Sequence, residues 1–369
     1  MVTQVRDSGR PAGLRGQLGE LCHSSGLLGS LQRMRSWLRK DLRILAYHRI
    51  TPLPDPDIYE FDLELISTSP EGFREQMSFI KRHYHPMRLS DVAEAINTGR
   101  ELPTDAVVVT FDDGYNDNYH VAFPILRELG VPATFFVSTG HIDTGHPFAY
   151  DWLVHMILRT GAPRLELPEL GMDEPMPDGR AARRALATMV LDRMKETDAL
   201  TQSAMTRRLE TQWRIPSEVA PPDCQPMSWD QVREMHAAGY EFGSHGVHHR
   251  MLSKLPQDEL EFEVRHSRDT LQRELGPAML HMSYPVGGTR AFDQRVIDTT
   301  REAGFELACS YISGTNTQRD FNRYALYRLA VERNMGIGWF AAMLAMPSLM
   351  SYPSGGRMHE FRSDPTCSH

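Results

Sequence analysis

An α/β fold on a parallel sheet, closed or nearly closed into a barrel, is predicted by three features of this 369-residue chain. Runs of β-branched and aromatic residues alternate with stretches whose apolar residues recur at helical spacing. Such alternation implies parallel strands joined by crossover helices. Two of the extended runs also end on chemically loaded residues, far apart in the sequence. A barrel gathers successive strand ends on one face, which makes it the natural form.

The elements follow in order. Residues before Gly26 are rich in Gly, Ser and Arg with little periodicity, and are expected to be poorly ordered. Leu27, Leu31, Met34 and Leu38 then recur at helical spacing, with Trp37 beside them and Arg33, Arg35, Arg39 and Lys40 around them. A basic amphipathic helix of this kind either caps the barrel or lies on an anionic membrane face. The stripe is common in globular helices, which favours the cap, and residues 27–40 stand as the candidate for peripheral membrane contact. Arg43 to Ile50 reads as the first strand. Ser69-Pro70-Glu71 starts a helix through a capping serine and a first-turn proline, and Phe73, Met77 and Ile80 form its stripe. Val107 to Phe111 is a buried strand, and Tyr119 to Leu129 is the helix after it, ended by Gly130.

Between Tyr150 and Pro226 the pattern changes. Ala181 to Leu209 is rich in helix formers, while Glu166 to Gly179 and Ile215 to Pro226 carry many prolines. This predicts a helical insertion over residues 151–226, acting as a roof for a substrate groove or as scaffolding. Ser228 then caps a helix through Ala238, with Trp229 read as core packing rather than as a surface for a sugar ring. Leu260, Val264 and Leu271 mark a helix ended by Gly276. The organisation is an N-terminal extension over 1–41, a barrel over 42–346 and a tail without period over 347–369.

The chemistry starts at Thr110-Phe111-Asp112-Asp113-Gly114, where a buried strand meets two carboxylates and a turn. Adjacent strand side chains point to opposite faces, so the two aspartates can take different tasks: one binds a metal, the other faces a reacting water. The plainer alternative is a strand cap binding backbone amides. Far downstream, His245 and His249 are four apart, which on a helical turn puts both imidazoles on one face. His248 competes with His249 as a ligand, and spacing favours His249. Neutral imidazole is a common ligand for zinc and similar ions. With Asp113 the pair makes three protein ligands and leaves a position open, as a catalytic metal requires.

These residues resemble the polysaccharide deacetylase family, also called the NodB-homology family or carbohydrate esterase family 4. Thr110-Phe111-Asp112-Asp113-Gly114 matches its first motif, and His245-x-x-x-His249 its second, with Gly246 where the family usually has Ser or Thr. Tyr47-His48-Arg49-Ile50, Pro132-Ala133-Thr134-Phe135-Phe136-Val137 and Ser283-Tyr284-Pro285-Val286-Gly287 are similar to further motifs of the exopolysaccharide branch. The resemblance runs from about Leu42 to about Glu332. It implies a distorted seven-stranded (β/α) barrel and a metal-dependent hydrolase removing N-acetyl groups from an amino-sugar polysaccharide or its lipid-linked precursor. It implies Asp112 as general base, Asp113, His245 and His249 as metal ligands, and the backbone N–H of Tyr115 as oxyanion donor. Tyr284 and Pro285 are the implied substrate-pocket residues. The family's late Leu-x-His, which protonates the leaving amine, has no counterpart: the stretch Arg323 to Val331 contains no histidine, and the arginine of the third motif is not evident. His48, at a strand end, is the candidate acid, against the alternative of a histidine merely held by its neighbours. The implied cofactor is one divalent ion, with Zn2+ preferred and Co2+, Ni2+ or Fe2+ also suited to a His2Asp set. Other readings are a deacylase or deformylase of a small amide, and a non-catalytic glycan-binding protein.

The net charge of −8 argues against a nucleic-acid binder. Cys22, Cys224, Cys309 and Cys367 are scattered and read as reduced thiols. Met1 to Leu18 has no apolar core of the secretory kind and no run approaches a membrane span. A cytoplasmic address is therefore expected, with membrane association through 27–40 as its variant.

Overall fold

The structure, a computed structural model, describes residues 14–24, 29, 35, 40–195, 197–216, 224–277, 281–317 and 322–352. Among these residues seven parallel strands close on themselves: β1 Asp41–Tyr47, β2 Ala106–Phe111, β3 Thr134–Val137, β4 Glu241–Ser244, β5 His281–Ser283, β6 Leu307–Ser313 and β7 Leu326–Ala330. They follow one another around the barrel in chain order. β1 pairs with β2 from Arg43↔Val107 to Tyr47↔Phe111, and with β7 at Leu45↔Leu329 and Ala46↔Ala330, which completes the ring. The distortion is local. β4 and β5 share the single pair Met282↔Ser244, and the β6–β7 register shifts between Cys309 and Ser313.

Both faces of these strands are covered, which explains why β2 is a continuous apolar run rather than an alternating one. Val107, Val109 and Phe111 face the outer helices, packing with Phe73, Met77 and Ile80. Val108 packs on the other face with Ile44, Phe136, Leu307 and Leu326. Helix α1 is Leu14–Ser24 and α2 is Pro70–His83, the latter started by Ser69, whose Oγ accepts from the Gly72 N–H at 3.1 Å. The helix expected from Tyr119 to Leu129 is in two parts. Asn118–Ala122 is a π turn and α3 is Phe123–Leu129, ended by Gly130 at φ +64°. Pro124 accounts for the wide turn, since it has no N–H to continue an α ladder.

Three expectations are corrected. Leu14–Ser24, inside the stretch expected to be poorly ordered, form α1, which packs on helix α9, Ile337–Ala345, through a glycine. A Cβ at Gly19 would stand 2.7 Å from the Trp339 Cα, and Glu20 accepts from the Gly338 N–H at 3.0 Å, capping α9. The tail does not start at Pro347. Pro347–Met350 is a short helix with Met350 buried, and Trp339 donates to the Met350 carbonyl at 2.8 Å. The insertion is not purely helical. Helix α4, Ala149–Arg159, is followed by an antiparallel hairpin, Arg164–Leu167 with Met172–Pro175, inside the stretch read as a proline-rich flank. The long helical stretch is then two helices, α5 Arg180–Met194 and α6 Ala199–Trp213, because Asp198 caps the second by accepting from the Thr201 N–H at 2.9 Å. These elements share a core of their own, with Leu153, Ile157, Leu165, Val190, Met205 and Leu209.

The basic amphipathic helix over 27–40 lies outside the described residues except for Gly29, Arg35 and Lys40. Arg35 pairs with the buried Asp41 and Lys40 with Glu101 at 2.6 Å. Cys224 and Cys309 are buried and Cys22 is partly buried. Among the described residues no helix is long and apolar enough to cross a membrane.

Gly243 in β4 gives a test of how tightly the barrel closes. A Cβ there would stand 2.7 Å from the Phe136 ring and 2.8 Å from the His281 carbonyl oxygen. Gly243→Ala is expected to destabilise the fold by about 1–3 kcal/mol through overpacking. A denaturation midpoint equal to wild type would show that the strands spread at no cost.

Candidate active site

The C-terminal ends of the strands bring the polar residues to one cavity of ≈ 160 Å³. Asp112 and Asp113 follow β2, His48 follows β1, and His245 follows β4, with His249 one turn later. Tyr284 and Val286 follow β5, and Tyr311 comes from β6. Asp62 and Leu65, from the loop after β1, complete the rim with Tyr150, Leu191 and Lys195 of the insertion. The insertion thus forms part of the roof as well as holding its own core.

Both aspartates face this one cavity, against the expectation of opposite faces. The strand stops at Phe111, so the alternation no longer applies. Asp113 has φ +73° and Gly114 φ +92°, which turns the second carboxylate back inward. Gly114 is further required by space, since a Cβ would lie 2.8 Å from Val137 Cγ1.

The two carboxylates differ in their partners. Arg328 grips Asp112 with both arms, Nη1 to Oδ1 at 2.8 Å and Nη2 to Oδ2 at 2.6 Å. Ser283 adds a longer hydroxyl contact to Oδ2 at 3.4 Å. Burial pushes the Asp112 carboxyl up, but the Arg328 guanidinium and His245 outweigh it and hold it below the usual carboxylate range. Asp113 instead faces two imidazoles, with its Oδ1 3.1 Å from His249 Nε2 and 3.5 Å from His245 Nε2. Burial again raises its pKa and the histidines lower it well below the ordinary value.

Asp113, His245 and His249 fit a cation. One ligand atom of each lies within 4.8 Å of the others, and the buried Asp113 Oδ1 has no hydrogen bond of good geometry among the described residues. The His245 Nδ1 is tied to the Ser283 carbonyl at 2.7 Å, which leaves Nε2 to the site. His248 does not join them. Its Nδ1 pairs with Glu263 Oε1 at 2.7 Å.

Glu263 is a residue that the motif reading missed. It is buried on helix α8, Gln257–Leu275, where α7 is Trp229–Ala237. Its Oε2 accepts from the N–H groups of Val247 at 2.7 Å and His248 at 2.9 Å, fixing the turn that carries His249. The same carboxylate explains Gly246. That residue has φ +74°, and a Cβ on it would stand 3.0 Å from Glu263 Oε2. Arg328 is the second missed residue. The sequence signal for both was a charge at an inward position, in a strand and in a helix stripe.

The remaining predicted residues are placed as follows. His48 lines the cavity, its N–H held by Ser67 Oγ at 2.9 Å and its carbonyl by Asn118 at 2.8 Å. Burial pushes the His48 imidazole below its ordinary range, with Asp113 and Asp112 opposing. The Tyr115 side chain is not on the cavity wall. Its side chain is buried against Phe148 and under Arg49, whose Cζ lies 4.5 Å from the ring centroid. Its backbone bridges Pro226, and the bonds there use Gly114 O and Asn116 N, leaving the Tyr115 N–H out of the pairing. Tyr284 borders the cavity, but its ring stacks on Phe292 and its hydroxyl donates to the Tyr324 carbonyl at 2.9 Å, away from a ligand. Pro285 does not line the cavity.

Glu263→Gln tests this support. Loss of the carboxylate is expected to weaken divalent-ion binding about 10–100-fold, as for other residues that orient ligands. A chelator competition giving wild-type affinity would remove Glu263 from that role. Stability supplies the second readout. Burial raises the Glu263 carboxyl, but His248 and the two amides hold it below the usual carboxylate range. Its contribution is therefore present above that range and lost as pH falls through the folded value, and the variant's melting temperature should fall less steeply on the acid side.

The comparisons with known proteins agree with this site. The family model described as polysaccharide deacetylase matches residues 99–170 and 173–308. The poly-beta-1,6-N-acetyl-D-glucosamine N-deacetylase of Escherichia coli (strain K12) is 36% identical over 84 residues, which are 22% of this chain and 12% of that protein. The chain therefore spans only a small part of that relative. The putative polysaccharide deacetylase YxkH of Bacillus subtilis (strain 168) is 19% identical over 314 residues, 84% of this chain and 79% of that one. Among solved structures, the Streptococcus pyogenes deacetylase PplD in complex with acetate superposes with a TM-score of 0.55 at 19% identity, covering 85% of this chain and 99% of that one. That likeness is one of fold. With the family's model aligned over more than half of its residues, from the catalytic strand to β6, the chain belongs to the polysaccharide deacetylase family.

Proposed function

We propose that this protein is a metal-dependent hydrolase that removes N-acetyl groups from an amino-sugar polysaccharide, or from its lipid-linked precursor. The observation that carries the reading is the division of labour between the adjacent carboxylates. Asp113 faces two imidazoles, and Asp112, kept ionised by Arg328, faces the same cavity. A protein that only bound glycan would have no use for an ionised base beside a metal site. The E. coli relative's name supports β-1,6-linked N-acetylglucosamine as the first substrate to try.

Asp113, His245 and His249 would hold the ion, for which we propose Zn2+. When bound, it supplies a Lewis acid and lowers the pKa of the attacking water. Asp112 takes the proton from that water as general base. The bidentate fork of Arg328 fixes the orientation in which it does so. The Tyr115 N–H meets the oxygen of the acetamide as negative charge develops. His48 takes over the proton that Asp112 removed from the water and delivers it to the leaving nitrogen, so that acetate and a free amine depart. Burial disfavours the charged imidazole, which suits a group that passes a proton on.

Asp112→Asn is expected to lower kcat by about 10²–10⁴-fold on N-acetylglucosamine oligomers while metal binding is retained. His48→Ala should show a comparable loss on these oligomers and a much smaller one on an activated anilide, whose amine leaves without protonation. An equal loss on both substrates would remove the acid role from His48. Arg328→Met leaves a buried carboxylate without its cation. It should cost roughly 3–5 kcal/mol of stability as well as activity. Arg328→Lys restores charge without the fork, and recovery of the full wild-type rate in that variant would show that orientation by the fork does not matter.

A further inference from the structure

The register shift between β6 and β7 falls where one side chain of the catalytic cavity is aimed. Cys309 pairs with Leu326 and Ser313 with Arg328, so Ser310, Tyr311 and Ile312 stand opposite the single residue Tyr327. A bulge bends its strand and is favoured beside active sites, where it re-aims a side chain. This one is fixed from three directions. The Ser310 carbonyl accepts from Arg328 Nε at 2.7 Å, and the Ser310 hydroxyl donates to the Leu326 carbonyl at 3.0 Å. The Tyr311 N–H donates to the Gly287 carbonyl at 2.7 Å. A Cβ on Gly287 would stand 2.6 Å from both the Cβ and the N of Tyr311, and its φ is +58°. Gly287 is therefore the residue that admits Tyr311 to the cavity wall.

The Tyr311 ring has neighbours, whereas its hydroxyl has none. Arg328 Cζ lies 5.4 Å from the ring centroid, and the His48 imidazole packs on the ring at 5.4 Å with a tilt of 56°. Among the described residues no hydrogen bond reaches the Tyr311 hydroxyl or the His48 imidazole. His48 has its task at the leaving nitrogen, and the hydroxyl beside it is without one. A phenol oxygen can accept an N–H while keeping its own proton. Burial pushes this hydroxyl well above the usual phenol range, with Arg328 opposing, so it stays an O–H at neutral pH.

Placement in the ring of strands gives the hydroxyl a partner. Tyr311, on β6, stands as far from the turn after β2 as a ring of seven strands allows, on the same wall as His48. An acetamide whose oxygen is drawn to the turn of Asp113 and Tyr115 therefore presents its nitrogen to that wall. As this nitrogen turns pyramidal it offers two things, its own N–H and a lone pair, and His48 serves the lone pair. We propose that the Tyr311 hydroxyl oxygen accepts the N–H of the acetamide, which makes Tyr311 a further catalytic residue and the group that selects a secondary amide. This rests on the deacetylase reading for the reaction itself. The contact holds the nitrogen with its lone pair toward His48. Once His48 has delivered its proton the nitrogen is a charged donor, and the bond to Tyr311 strengthens. It is thus worth more on the way to cleavage than in the bound substrate.

Tyr311→Phe removes the oxygen alone and, with no partner in the protein to strand, should fold as wild type. The metal-loaded protein would be given the β-1,6-linked dimer of N-acetylglucosamine, the same dimer with its amide nitrogens methylated, and 4-nitrophenyl acetate. The methylated dimer has no N–H but still needs a proton to leave. The ester has no N–H and needs no proton. Wild type should prefer the secondary amide by about tenfold or more in kcat/KM, and the variant by less than about twofold, with kcat sharing in the loss. The ester rate should be alike in both proteins, and His48→Ala should slow both dimers by one factor. An unchanged preference in Tyr311→Phe, or an ester rate that falls as far as the amide rate, would overturn the assignment. If wild type releases no acetate from the dimer, the deacetylase reading fails and calorimetry with the two dimers decides Tyr311 separately. Binding of the secondary amide that is tighter by about fivefold or more in wild type, and equal to the methylated dimer in the variant, sustains the contact. Equal binding of both dimers to wild type, or none, overturns it.

Discussion

The structure depends on one buried guanidinium. Arg328 stands on β7, nearly without exposure, and its contacts radiate through the upper barrel. It donates to the Ser310 carbonyl of β6 at 2.7 Å, to Ser283 Oγ at the end of β5 at 2.9 Å and to Thr110 Oγ1 of β2 at 3.2 Å, besides its fork on Asp112. Its Cζ also lies over the rings of Phe136 and Tyr311. A cation in such a place is tolerated only because every arm has an acceptor and a carboxylate balances it. That balance requires the ring to be closed, since only β7 paired to β1 and β1 to β2 brings residue 328 to residue 112. The fold and the charge on Asp112 are thus one condition.

The second constraint is backbone strain. Asp113 at φ +73°, His249 at φ +55° and Val286 at φ +65° are three of the five non-glycine residues with positive φ among those described, and all three line the catalytic cavity. Each costs on the order of 1–3 kcal/mol and persists only where the surroundings impose it. Ser138 donates to the Asp113 carbonyl at 3.2 Å, and Glu263 holds the two amides before His249. Positions that aim side chains into the cavity are therefore strained, and the elements beneath them supply the compensating bonds.

What could be read from the sequence follows from the range of the interactions involved. Motifs carried Asp112, Asp113, His245 and His249, and local caps such as Ser69 and Ser228 were legible because their partners are three residues away. Arg328 and Glu263 were not, because their partners are 216 and 15 residues distant. Each nonetheless left a trace. Arg328 shares a strand face with Leu326 and Ala330, and Glu263 falls on the stripe of Leu260, Val264, Ser267 and Leu271. A charge on an inward face must have a buried partner, and here each partner is the site itself. The hairpin in the insertion was hidden for another reason: its prolines stand at the strand ends and the turn, where strands tolerate them.

The insertion is more than a roof, because its arginines shape the loop that it faces. The segment between β1 and Leu63 has little regular structure, so its carbonyls need acceptor-seeking partners from elsewhere. Arg180 donates to the carbonyls of Ile58 at 3.1 Å and Tyr59 at 3.0 Å, and Arg184 to those of Phe61 at 2.8 Å and Pro56 at 3.2 Å. Asp151, fully buried in α4, accepts from the Asp62 N–H at 2.6 Å and lies 3.8 Å from Arg49. Burial pushes its carboxyl up to about 7 against the pull of Arg49. The same carboxylate lies 3.4 Å from the Tyr115 hydroxyl, so one residue of the insertion touches both the cavity rim at Asp62 and the turn after Asp113. A shift of Asp151 would therefore bear on both walls of the cavity at once.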